Sequence, residues 1–149
     1  MSVAYAETRI PGAAWLAGLI AVLPLAANIA ALWVPERGFD TLARQAGPIY
    51  AALLITFFSG IRWGAVLSAV SAPELLLGLI PPYAAWIALI LRPEFSLCIL
   101  LIVLLLQALA DVLAVEEGHL PYWYGKWRML LTAAAGIAIL AMLGERLFH

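Results

Sequence analysis

Apolar residues in this chain fall into five long runs, and polar residues gather between them. A membrane-spanning helix needs about 20 apolar residues, with roughly 17–25 tolerated. Ala13–Val34 is the first such run, interrupted only by Asn28. Pro48–Val70 is the second, and Pro48 suits the first turn of a helix, where its missing N–H was an orphan in any case. Leu75–Leu91 is a shorter third, and Phe95–Val115 is the fourth. Each of these two follows a Pro-Glu pair, Pro73-Glu74 and Pro93-Glu94, which places a carboxylate at the positive end of the helix dipole. The fifth run, Met129–Leu143, is extended by Trp127 at one end and Leu147 at the other.

The pattern predicts an all-α fold: a polytopic helical bundle in one transmembrane domain over residues 1–149, with spans at about 13–34, 48–70, 75–91, 95–115 and 127–147. Short connections make consecutive helices antiparallel neighbours. No alternating strand pattern and no internal repeat interrupts this reading. The first run has some features of a cleaved signal peptide, with Arg9 before it and alanines at 26–31. It continues through Leu32, Trp33 and Val34, however, which favours a retained span. The loop charges do not orient the bundle. Arg9, Lys126 and Arg128 fall on one side, and Arg37, Arg44, Arg92 and Arg146 on the other, a slight tilt toward a cytoplasmic C-terminus.

Composition removes the soluble alternative. The chain is 66% hydrophobic and 11% charged, against about 45–50% and 25% in soluble domains, and its mean hydropathy is +1.03. A globule of 149 residues cannot bury that much apolar surface, so the lipid bilayer is its first partner. The net charge of −1 offers no field for nucleic acid. Cys98 is the single cysteine, which excludes an intrachain disulfide and a thiolate metal cage and reads as an inert packed thiol.

Two charges fall inside the spans, Arg62 in the second and Asp111 in the fourth. Each costs on the order of 2.5–3.5 kcal/mol near a helix centre, so neither should face lipid. At 1.5 Å per residue they lie about 12 Å and 6 Å from the same membrane boundary, a gap that a long arginine side chain mostly closes. An Arg62–Asp111 contact is the expectation, either as a structural clamp or as a substrate or proton site. Gln107, one turn before Asp111, joins it in a polar stripe that must point inward.

Three further features invite a structural and a functional reading. Ser59 precedes Gly60, Gly64 and Ser68, whose four-residue spacing matches helices in close backbone contact. Pro81 and Pro82 interrupt the third span, which either kinks a packed helix or lines a cavity. Trp123, Tyr124 and Arg128 lie in an aromatic and basic segment suited to a headgroup belt, on the side where they can roof Arg62 and Asp111. Enzyme templates fail. His119 is in a loop and His149 is terminal, Asp111 is a lone intramembrane aspartate, and no histidines in the spans supply metal ligands. Neither a phosphate loop nor a nucleotide fingerprint is present. The expectation is a protein that is not an enzyme and holds no cofactor.

These residues resemble the transmembrane protein 69 family. The match runs from Gly18-Leu19-Ile20 and Leu23-Pro24 through Tyr50 to Phe58-Ser59-Gly60-Ile61-Arg62-Trp63-Gly64. It continues with Pro81, Trp86, Asp111, Pro121, Trp123-Tyr124 and Arg128 with Thr132, and so covers nearly the whole chain. Ser59 stands where the family's phenylalanine-glycine-glycine block has its first glycine, a small-for-small change. The resemblance implies a polytopic inner-membrane protein of a kind found in bacteria and mitochondria, and supplies no mechanism. Two functions stay open. One is a non-enzymatic accessory or assembly protein with a membrane-protein partner. The other is a small-solute or proton-coupled transporter, working as a homo-oligomer with its site at Arg62 and Asp111.

Overall fold

The computed structural model describes residues 9–33, 38–67 and 72–148. The predicted span ends at Val34 and Val70, together with Arg37, Ser68 and His149, lie outside the described residues. Among the described residues all regular structure is helical: α1 (Gly12–Leu32), α2 (Phe39–Val66), α3 (Ala72–Leu77), α4 (Ile80–Ile90), α5 (Pro93–Glu116) and α6 (Tyr122–Phe148). Segments α3 and α4 form one broken helix, so the bundle has five helices. Four of them are long and apolar enough to cross a membrane: Gly12–Leu32, Ala72–Ile90, Pro93–Glu116 and Tyr122–Phe148. The sequence predicts five such spans. The difference is α2, 28 residues long, which carries Asp40, Arg44 and Gln45 in its first two turns and Arg62 near its end; between Ile49 and Val66 Arg62 is its one charge.

Helix α2 is the hub. It touches α1, α4, α5 and α6, and those four lie around it in the order α1, α6, α5, α4, each packed on the next. Its buried side chains, among them Ala51, Leu54, Ile55 and Phe58, meet Leu97, Leu100 and Leu104 of α5 and Leu131, Ala135 and Ile139 of α6 in one core. The outward surface is apolar as well. Leu19, Leu23, Leu76, Ile90, Leu106 and Ile137 are all exposed, as lipid-facing residues are. Cys98 also faces outward, on the side of α5 opposite Leu97, Leu100 and Leu104, and is not the packed thiol expected.

Two elements begin elsewhere than the hydrophobic pattern predicts, and α3–α4 breaks one turn early. Helix α2 starts at Phe39, so Pro48 lies inside it instead of at its first turn. Having no N–H, Pro48 leaves the Arg44 carbonyl without its i+4 donor. The Arg146 guanidinium of α6 donates to that carbonyl instead. Pro81 and Pro82 occupy the first turn of α4, where missing donors cost nothing, and the break moves upstream to Gly78 and Leu79. The Leu79 N–H turns to Leu76 O at 3.1 Å, which frees the Leu75 carbonyl, and the Trp63 indole N–H donates to it at 3.0 Å. Gly78 permits this approach, since a Cβ there would stand 2.5 Å from the indole. Finally, α6 begins at Tyr122, earlier than Trp127, and turns Tyr124, Trp127, Arg128, Leu131 and Thr132 inward along one face.

Candidate functional site

The polar residues of the spans meet where α5 ends and α6 begins. Asp111 and Arg128 are both 0% exposed. Arg128 Nε donates to Asp111 Oδ2 at 2.8 Å and Nη1 donates to Thr132 Oγ1 at 2.6 Å. Nη2 reaches Gln107 Oε1 at 3.3 Å. The guanidinium lies over the Phe58 ring, with Cζ 3.7 Å from its centroid, a cation–π contact worth about 2 kcal/mol when desolvated. Gln107 in turn donates through Nε2 to Ser59 Oγ at 2.8 Å and to Ile55 O at 3.1 Å. The chain of contacts ties α2, α5 and α6 together through one carboxylate, one guanidinium and one amide.

Arg62 stands apart from this network. Its Nη1 is 4.0 Å from Asp111 Oδ1, an ion-pair distance without a hydrogen bond, and its side chain is 27% exposed. Asp111 Oδ1 and the Tyr124 hydroxyl stand within electrostatic reach of each other, and neither makes a hydrogen bond of normal geometry among the described residues. The expected Arg62–Asp111 pair is therefore present as the looser of two, and the tight one is made by Arg128. That residue and Tyr124 are core residues, not members of a headgroup belt, because helix α6 already runs through them; Trp123 is partly buried and packs edge-on against both Tyr124 and Trp127. Gln107 points inward as its stripe requires.

The small residues divide. Ser59 is buried, but Gly60 and Gly64 face outward, and a Cβ at either would meet open space. Within this chain they are not close-packing positions. The glycines that admit a neighbouring helix are others: Gly18 against Trp127, and Gly47 against Met142 and Asn28. Pro81 does line a cavity, of about 240 Å³, between α2, the α3–α4 break and α5, with Ser59, Arg62 and Gln107 on its wall. A second, about 230 Å³, lies on the other side of Gly78 and is bordered by Ser59, Gly60 and Pro82. Sequence pattern, loop break and intramembrane charge thus converge on one region.

A second polar cluster, at the far end of α2, was not anticipated. Glu145 is buried and pairs with Arg44, beside the Arg146 contact with the Arg44 carbonyl. Asn28 Nδ2 donates to Ala43 O at 2.9 Å. The signal was available in Asn28, the one polar interruption of the first apolar run, and in the basic and acidic residues at opposite helix ends.

An all-helical bundle with an ion pair sealed among apolar spans defines a membrane protein. The chain belongs to the family described as "Protein of unknown function (DUF3429)", which it matches over residues 10–144. It is similar to Transmembrane protein 69 of Xenopus tropicalis, with 29% identity over 136 residues, 86% of this chain and 51% of that relative. The chain therefore spans about half the length of the curated relative it matches. No solved structure matches it.

Proposed function

We propose that this protein is a multi-pass inner-membrane protein with a non-enzymatic accessory or assembly role, acting through other membrane proteins. The observation that carries the reading is that the buried network bonds chiefly to itself, Asp111 Oδ1 excepted. Arg128, Asp111, Gln107, Thr132 and Ser59 spend their hydrogen bonds on one another and on the Ile55 carbonyl. Such a set stiffens a bundle and leaves little with which to transform a substrate. Five crossings fit the same picture. Helix α2, about 42 Å long at 1.5 Å per residue, lies beside α6 from Arg44 at the level of Arg146 to Phe58 at the level of Trp127. A helix that keeps pace with a spanning neighbour over those 14 residues, about 21 Å, is read as crossing with it.

The test is purification in lipid nanodiscs followed by native mass spectrometry. Stoichiometric protein partners are expected, and repeated recovery of the chain without any would count against the accessory role. The transporter reading rests on a separate observation, the broken α3–α4 helix beside Arg62. The double variant Asp111→Leu with Arg128→Met separates the two. An assembly protein keeps its cellular activity once the fold is restored, whereas a proton or solute site at Asp111 loses it in a folded protein.

A further inference from the structure

Charge in the buried site does not balance. Two guanidinium groups, Arg62 and Arg128, face one carboxylate, Asp111, so one positive charge is left over. Arg128 already donates from all three of its nitrogens, to Asp111, Thr132 and Gln107, and lies over the Phe58 ring. The surplus therefore belongs to Arg62, which makes no hydrogen bond among the described residues and whose guanidinium lies 4.0 Å from the shared carboxylate. Arg62 lies one turn before the end of α2, and its unmatched donors call for an anion.

The cavity beside it has the shape for one. Arg62 lines the space of about 240 Å³ together with Ser59, which accepts from Gln107 and keeps its own hydroxyl proton to donate. The rest of the wall is largely apolar: Ile80 and Pro81 at the start of α4, Val103 and Leu106 on α5. Leu77, Ile80 and Leu106 are also exposed on the outer surface, so the cavity continues onto the face that lipid chains cover. A small hydrated anion gains nothing from such walls. A molecule with one anionic head and an apolar tail matches both ends.

We infer that the cavity between α2, α4 and α5 binds an anionic amphiphile, its phosphate or carboxylate head on Arg62 and Ser59 and its chain running out past Ile80 and Leu106. The site goes beyond the accessory role and does not depend on it. The ligand covers the donors of Arg62 and Ser59 that the protein leaves open.

The test uses the purified full chain in a zwitterionic detergent, with thermal unfolding followed by tryptophan fluorescence. The probes are a short-chain phosphatidylglycerol, a phosphatidylcholine with the same chains, and inorganic phosphate. Phosphatidylglycerol should raise the midpoint saturably, at a concentration at least tenfold below any effect of phosphatidylcholine, and phosphate should have no effect. Arg62→Gln should abolish the difference between the two lipids. Ala84→Phe, which fills the cavity and leaves Arg62 in place, should abolish it too, and serves if the Arg62 variant does not fold. Equal shifts from both lipids, or a phosphatidylglycerol effect that survives both substitutions, would overturn the inference. A saturable shift from phosphate alone, as large as that from phosphatidylglycerol, would overturn the amphiphile in favour of a small-anion site.

Discussion

Arg128 Nε donates to Asp111 Oδ2 across 2.8 Å, and neither residue exposes any surface. The two sit on antiparallel neighbours, α5 and α6, close to the turn that joins them, so the pair fastens the hairpin where it would otherwise fray. Breaking a buried pair by removing one partner typically costs about 3–5 kcal/mol, because the other charge is stranded. Arg128→Met and Asp111→Leu should each destabilise by roughly that amount. The double variant should recover most of the loss, since the charge left unpaired is then that of Arg62, whose side chain is 27% exposed. Denaturant unfolding in micelles, read as a double-mutant cycle, measures the coupling. Additive losses would mean that the two residues do not act as a pair.

The two arginines near Asp111 should differ sharply. Arg62 holds no hydrogen bond to the carboxylate and keeps 27% of its side chain exposed. Arg62→Gln is expected to cost about 1 kcal/mol or less, as exposed ion pairs do, against several for Arg128→Gln. Unfolding midpoints of the two variants under identical conditions settle the order. Equal losses would show that Asp111 is shared evenly.

Glycine substitutions should separate by face. Gly18→Ala sets a methyl against the Trp127 indole, and Gly47→Ala against Met142 and the Asn28 amide. Each should cost about 1–3 kcal/mol as overpacking does. Gly60→Ala and Gly64→Ala project into open space and should be neutral, or stabilising by up to about 1 kcal/mol from helix propensity. Thermal midpoints of the four single variants give the comparison. A loss at Gly64 as large as that at Gly18 would place a neighbour on that face.

Trp63→Phe keeps the ring and removes the N–H that satisfies the Leu75 carbonyl. A lost hydrogen bond of this kind is worth about 1 kcal/mol. The effect should be local, a rise in amide exchange confined to α3 and the Gly78–Leu79 break. Unchanged exchange there, with loss elsewhere, would mean that the indole does not hold the break.

Topology has a direct test. In a Cys98→Ser background, single cysteines replace Phe39, at the start of α2, and Glu117, after α5. If α2 crosses, impermeant reagents label the two from opposite sides. If only the other four helices cross, both label from the same side.

Much of the fold was legible because lipid imposes a simple rule: long apolar runs become helices. Helix α5 begins at Pro93, within two residues of the predicted Phe95, and the Gln107–Asp111 stripe points inward. What was not legible is which helical face meets which neighbour. Gly60 and Gly64 have the spacing of a packing motif, yet spacing gives a face and not its direction, and here that face is turned outward. Arg128 was hidden by company. Among Tyr122, Trp123 and Lys126 it reads as a boundary residue, until the helix is found to start at Tyr122 and its four-residue offset from Tyr124 and Thr132 becomes structural. Pro48 misled in a similar way, since a proline at a helix start and one repaired from outside look alike in sequence.

That repair has a consequence for biogenesis. The Arg44 carbonyl is served by a donor 102 residues further along the chain, on α6. Until α6 is made α2 carries a gap in its backbone ladder, and Glu145, the buried partner of Arg44, is missing as well. The four helices before α6 therefore form an assembly whose hub stays incomplete until α6 follows. Insertion of α6 is the step that closes it, so surveillance proteases and chaperones would meet an unfinished intermediate with its weak point at residues 44–48.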